Sequence, residues 1–307
     1  MKLAQNAVVI GTGMMGPGIA ATLALGGVRT TIVSRGLESA IAAAARARGQ
    51  MDLLVSAGLR TGEARAEITA SADLDAAVAG TDLVIESAPE DMELKQALFA
   101  RMDAIAPAGA ILASNTSGLS ISAIASRCAR PERVLTAHFW NPPHLMPLVE
   151  IVKGEKTDPA LAEALAALLS RCGKTVVILQ KDRPGQLGNR LQMALLREAC
   201  AIVEEGIASV EDVDRAAKTG FGLRLPVYGI FEHQDAVGLD MGLGILEYIA
   251  ADLYSQPRAP EIYRQKVRDG KLGAKCGEGF YQWSERGSLD ELKRRRDAFV
   301  LDFLKRG

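Results

Sequence analysis

Three features of this 307-residue chain predict an α/β protein: an N-terminal doubly wound sheet followed by an all-α domain. From residue 5 to about 180, short β-branched runs alternate with Ala/Leu-rich stretches, the pattern of strands that cross over through helices into a parallel sheet. A G-x-G-x-x-G run follows the first of those strands directly. Beyond Lys181-Asp182-Arg183-Pro184-Gly185 the period becomes helical: Leu187, Leu191, Ala194, Leu195, Ala199, Ile202 and Val203 trace one face of a long helix. The chain also exceeds the usual length of one domain. A boundary is therefore expected near 182, with residues 1–182 forming the sheet domain and 183–307 the helical one.

The expected strands are Ala7–Ile10, Arg29–Val33, Asp82–Ile85, Ala110–Ala113, Val134–Phe139, Val149–Val152 and Thr175–Leu179. Between them, Asp91–Ile105 and Asp158–Cys172 read as helices, and the alanine-rich stretch Ala40–Ala47 does too, because alanine is the best helix former. After 182 no strand pattern follows, only helical runs punctuated by glycine-rich turns.

Composition removes several classes of function. A net charge of −1, with 24% of residues charged, gives no electrostatic reason to seek nucleic acid. The apolar runs are interrupted well short of the roughly 20 residues of a membrane span, and no basic segment precedes an apolar one at the start, so a cytoplasmic location is expected. Cys128, Cys172, Cys200 and Cys276 are too scattered for a metal pair or a disulfide framework. His138, His144 and His233 lack the compact spacing of a metal site, so no metal is expected.

Ala7-Val8-Val9-Ile10-Gly11-Thr12-Gly13-Met14-Met15-Gly16 puts the glycine motif at the junction of a strand and a helix, where a Rossmann-type domain binds a dinucleotide. Gly11 permits the tight turn, Gly13 lets backbone approach a pyrophosphate, and Gly16 lets helix pack on strand. Gly11, Gly13, Met14, Met15 and Gly16 are thus the expected cofactor contacts. The second strand ends in Ser34-Arg35 instead of the acidic residue that would read a ribose 2′-hydroxyl. That pair suits a 2′-phosphate, or Arg35 stacks on adenine or faces solvent. NADP is thus admitted by Ser34 and Arg35.

Ser114-Asn115-Thr116-Ser117 follows a strand, at a carboxyl edge where doubly wound sheets bind ligands, which makes Ser117 a candidate oxyanion partner. His138 ends another strand and is followed by the stiff exit Phe139-Trp140-Asn141-Pro142-Pro143. Glu150, twelve residues on, is a carboxylate between apolar Val149 and Ile151 in a stretch expected to be buried. A carboxylate on one ring nitrogen fixes the tautomer and stabilises the imidazolium formed when the other accepts a hydroxyl proton. Oxidation of a secondary alcohol to a ketone by hydride transfer needs such a base.

The segments GTGMMGPGIA, NTSGLSIS, HFWNPPHLMPLVE, RPGQLGNR and GKLGAKCGEGFY together resemble the 3-hydroxyacyl-CoA dehydrogenase family over almost the whole chain. The resemblance implies a catalytic set of Ser117, His138, Glu150 and Asn189, with Ser117 and Asn189 holding the substrate oxygen. It also implies NAD as the cofactor, nicotinamide-side contacts from Glu90, Lys95 and Asn115, a role in fatty acid metabolism, and homodimers formed through the helical domain. The run Pro143 to Glu150 and the Asn189-Arg190-Leu191-Gln192 segment are similar to the gulonate dehydrogenase, lambda-crystallin and carnitine dehydrogenase branch, whereas GEGFY is closer to the acyl-CoA enzymes.

The excursion after the second strand, lysine-rich in acyl-CoA members, has no lysine here between Lys2 and Lys95, leaving Arg46 and Arg48 to meet CoA phosphates. A 3-hydroxyacyl thioester is the first expected substrate. A free hydroxy acid or polar alcohol, carnitine- or gulonate-like, is the second. A non-catalytic binding protein is the third, opposed by the retention of all four polar catalytic positions.

Overall fold

The structure, a computed structural model, describes residues 4–306. Two compact units divide the chain: one runs to Arg190 and takes in the residues from Arg295 onward, and the other is Leu191–Arg294.

The first unit is built from β1 (Asn6–Ile10), α1 (Gly16–Leu25), β2 (Arg29–Val33), α2 (Leu37–Ser56), β3 (Ile68–Ser71), α3 (Leu74–Val78), β4 (Leu83–Glu86), α4 (Met92–Ile105), β5 (Ile111–Ser114), α5 (Ile121–Ile124), β6 (Val134–Phe139), β7 (Leu148–Lys153), α6 (Pro159–Arg171) and β8 (Thr175–Leu179). The strands form one sheet in the order β3-β2-β1-β4-β5-β6-β7-β8. Strand order reverses between β1 and β4, the switch point at which such sheets take their ligands.

Every expected strand is present, and β3 is an addition. Its sequence Ile-Thr-Ala-Ser is short and half polar, and only Ile68 is buried, so it carries no apolar run to betray it at the sheet edge. The expectation of a wholly parallel sheet needs one correction: β7 runs antiparallel to β6, and β8 is parallel to β7. The short connection from Trp140 to Pro147 cannot supply a helical crossover, so the chain folds straight back on its neighbour.

Strand residues alternate between two apolar layers. Ala7, Val9, Leu83, Ile85, Ile111 and Ala113 join Ile19, Leu23, Ala44 and Leu165 on one face, whereas Val8, Ile10, Val84 and Leu112 join Phe99, Met102 and Ile124 on the other. Burial on both faces explains why the strands read as continuous apolar runs and not as alternating ones.

Along the remaining chain run α7 (Gly188–Glu204), α8 (Val210–Thr219), α9 (Phe221–Arg224), α10 (Ile230–Val237), α11 (Leu239–Ala250), α12 (Glu261–Arg268) and α13 (Leu289–Lys305). As expected, no strand forms there among the described residues. Val300 and Leu301 of α13 pack against the first unit's core. None of the helices α8 to α12 buries a residue, and Val227, Phe231 and Tyr248 are 75%, 83% and 88% exposed. Among the described residues no helix is long and apolar enough to cross a membrane, and all four cysteines are free thiols.

Candidate active site

The glycine motif joins β1 to α1 at the switch point. Gly11 has φ +114°, and a Cβ there would lie 2.4 Å from the Ser87 carbonyl oxygen; a Cβ on Gly16 would lie 1.9 Å from the Gly11 carbonyl oxygen. These two positions are closed to any side chain. Gly13 differs, because its missing Cβ would meet nothing within 4 Å. Two glycines therefore tighten the loop and the middle one fronts open space, the arrangement that lets backbone approach a pyrophosphate. Met15, before the first turn of α1, offers no side-chain cap, and Met14 is 72% exposed. The residues present thus fit a dinucleotide.

Ser34 and Arg35 follow β2, with the Ser34 N–H donating to the Ser71 carbonyl and Arg35 exposed. Arg46 and Arg48, the expected partners of CoA phosphates, are exposed, and each gives one bond to the main chain. Arg46 donates to the Thr12 carbonyl of the glycine loop at 2.7 Å, and Arg48 to the Ile68 carbonyl at 3.0 Å.

At the carboxyl ends of β4 and β5 lies an ionic cluster. Lys95 is 1% exposed, and its Nζ donates to Glu86 Oε1 at 2.7 Å and to the Ala88 carbonyl, with Glu90 at 3.6 Å. Glu86, wholly buried, also accepts from the Ser114 hydroxyl and the Ala88 N–H, each at 2.6 Å. Glu90 accepts from the Thr116 hydroxyl and from the Ser117 N–H. Lys95 thus stands as a paired charge, and Glu86 is a site residue the sequence reading overlooked. The signal was available: Glu86 ends an otherwise apolar strand, as Glu150 interrupts one.

His138 and Glu150 are directly opposite in the antiparallel β6–β7 pair, so their side chains share one face. His138 Nδ1 donates to Glu150 Oε2 at 2.7 Å, and the Trp140 indole N–H donates to the same oxygen at 3.0 Å. Glu150 Oε1 accepts the Leu187 and Gly188 N–H groups at 3.0 and 2.8 Å, where α7 begins. Burial alone would raise this carboxyl; the bonds from His138, Gly188 and Trp140 outweigh it and hold the group down at about 2. An ionised acceptor at Nδ1 leaves Nε2 as the basic nitrogen.

Other contacts fix the surrounding loops. Asn115 Oδ1 accepts the Phe139 N–H at 2.8 Å, tying its loop to the residue after His138. Asn189 Nδ2 donates to the Ser117 carbonyl and Gln186 Nε2 to that of Thr116. The Ser117 side chain is exposed at this edge. Behind the site, a Cβ on Gly18 of α1 would come within 2.5 Å of the Pro143 ring. The buried Lys174 donates to the Pro143 and Met146 carbonyls, holding the loop after His138. Burial pushes His144 down to about 4, and among the described residues no group of three His, Cys, Asp or Glu could hold a metal ion.

The depressed Glu150 carboxyl makes a pH prediction. Its contacts contribute fully above the ordinary 4.5 and are lost as pH falls through about 2; a shift of that size corresponds to roughly 3 kcal/mol. Glu150→Gln should therefore be less stable than wild type near neutrality but lose less further stability between pH 5 and pH 2. Denaturant titrations of both proteins across that range check this, and parallel pH profiles would refute it.

Two family models match in tandem: the 3-hydroxyacyl-CoA dehydrogenase NAD binding domain over residues 6–183 and the C-terminal domain over 185–283. A probable 3-hydroxybutyryl-CoA dehydrogenase of Bacillus subtilis is 37% identical, over 92% of this chain and 99% of the relative. An L-carnitine dehydrogenase of Streptomyces griseus is 34% identical, over 96% and 88%. The solved structure of 5-formyl-3-hydroxy-2-methylpyridine 4-carboxylic acid 5-dehydrogenase, an NAD+ dependent dismutase, superposes with a TM-score of 0.92 at 31% identity, covering 99% of each chain. With both domain models matched and relatives aligned over nearly their full length, the chain belongs to the 3-hydroxyacyl-CoA dehydrogenase family and is an NAD-dependent oxidoreductase.

Proposed function

We propose that the protein interconverts the secondary alcohol of a 3-hydroxyacyl compound and its 3-oxo form, with His138 as general base. The observation that carries this reading is the 2.7 Å bond between His138 Nδ1 and the buried Glu150 carboxylate. When bound, NAD supplies the hydride acceptor. His138 Nε2 takes the hydroxyl proton as the carbon loses hydride, and Glu150, kept ionised by its four donors, stabilises the imidazolium. The Ser117 hydroxyl and the Asn189 amide donate to the substrate oxygen as it becomes a carbonyl. Gly11, Gly13, Met14, Met15 and Gly16 hold the pyrophosphate, Ser34 and Arg35 meet the adenosine ribose, and Glu90, Lys95 and Asn115 border the nicotinamide.

A second reading, a free hydroxy acid in place of the thioester, has its own support. Arg46 and Arg48 already bond backbone carbonyls, and the solved structure cited above acts on a free pyridine carboxylic acid.

The helical unit is read as the face of a homodimer. Helices α8 to α12 leave large apolar side chains such as Phe231 and Tyr248 in solvent, a pattern that calls for a covering surface, and the family resemblance makes a second copy the occupant.

Three experiments test these readings. His138→Gln should lower turnover by about 10²–10⁴ while leaving the NAD dissociation constant unchanged. A variant keeping more than a tenth of wild-type turnover, with hydride transfer rate-limiting in both, would remove His138 from the mechanism. Initial rates on acetoacetyl-CoA and on free hydroxy and oxo acids, each with NAD- and NADP-type cofactors, should favour the thioester. They should also show an NAD preference that Arg35→Asp sharpens; faster turnover of a free acid selects the second reading, and an unmoved cofactor ratio frees Arg35 of its role. Light scattering at micromolar concentration should give twice the chain mass, and a monomer there would sink the dimer.

A further inference from the structure

The cluster at the ends of β4 and β5 holds two carboxylates, Glu86 and Glu90, against one ammonium, Lys95. Its formal charges leave one negative charge in excess. Glu86 is sealed from solvent and Lys95 nearly so, while Glu90 is 44% exposed at its side chain. Bulk water therefore screens the two inner members poorly, and the outer carboxylate faces the open edge.

The position of this charge in the sheet matters. Glu86 is the register partner of Ile10, the residue that leads into Gly11. The Ser87 N–H donates to the Ile10 carbonyl at 2.8 Å, so the cluster adjoins the glycine loop. A dinucleotide in such a sheet lies across the switch point with its adenosine towards β2, which leaves the nicotinamide for the β4–β5 side. The nicotinamide ring is cationic in the oxidised cofactor and neutral in the reduced one. A fixed negative charge near it therefore attracts one redox form and is indifferent to the other.

We propose that the Glu86–Lys95–Glu90 cluster sets a preference for the oxidised cofactor, with Glu86 as the buried positioning residue that holds Lys95 and Glu90 as the outward charge. The inference rests on the cofactor placement proposed above and adds to it a redox selectivity. It concerns affinity alone: oxidised cofactor is held more tightly relative to reduced cofactor than it would be without the charge. Lys95 tempers the field and keeps two carboxylates from repelling each other beside the loop. The same cluster reaches the catalytic edge, because Glu90 accepts the Ser117 N–H at 3.0 Å.

The test measures equilibrium dissociation constants for NAD+ and NADH, by NADH fluorescence and its competition, in wild type, Glu86→Gln, Glu90→Gln and the double variant Glu86→Gln with Lys95→Met. The readout is the NADH constant divided by the NAD+ constant, which a purely structural loss would not move because both forms would weaken together. Either single variant neutralises the cluster and should lower that ratio about three- to tenfold at low salt. The double variant again carries one excess negative charge and should return to within about twofold of wild type. Glu90→Gln, at an exposed position, decides the matter if Glu86→Gln does not fold. A ratio unchanged in folded Glu90→Gln overturns the proposal yet leaves the cofactor site standing, since that reading fails only if wild type binds neither form.

Discussion

The Glu150 carboxylate, sealed from solvent and held by four donors, is the interaction on which the rest of the site depends. Its donors come from three places: the end of β6, the tryptophan after it, and the first N–H groups of α7. A buried carboxylate without partners would take up a proton instead of remaining ionised. Here each oxygen carries two bonds, so the charge persists in the interior and can act on the imidazole. The helix start adds a favourable field, because exposed N–H groups at an N-terminus attract negative charge.

That pairing follows from the one reversal of strand direction. Had β7 entered through a helical crossover it would have run parallel to β6. The chain instead turns within a short proline-containing loop, and the return stroke sets residue 150 opposite residue 138. A twelve-residue separation thereby becomes a 2.7 Å contact. The neighbouring parallel strands deliver the other parts of the site to the same edge: the glycine loop from β1, Glu86 from β4 and Asn115 after β5.

Much of this was legible in the sequence. The glycine motif after an apolar strand announced both the turn and its purpose, since each glycine answers to a different steric demand. Glu150 stood out because a carboxylate inside an apolar run must be paired. Glu86 gave the same signal at a strand end and was passed over, because a terminal carboxylate is also what a solvent-facing strand end would show. Lys95 was noticed only through the family resemblance, and its burial was invisible because its partner lies nine residues away across a turn. β3 escaped because a polar edge strand carries no hydrophobic period. The antiparallel return was hidden for another reason: an apolar run does not reveal its direction, and only the length of the connection does. Arg46 and Arg48 are exposed, as a basic pair on an alanine-rich helix suggests, and their single bonds to main-chain oxygens carried no mark in the sequence.

Gly18 lies on α1, the helix that follows the glycine loop, yet what a Cβ there would meet is the Pro143 ring, in the loop that leaves His138. The nucleotide-facing helix and the loop that leaves His138 therefore meet backbone to ring, with no side chain between them to act as a cushion. Close packing of that kind leaves little room for a side chain to be added between them. A side chain at position 18 would therefore disturb the helix after the glycine loop and the exit from His138 together.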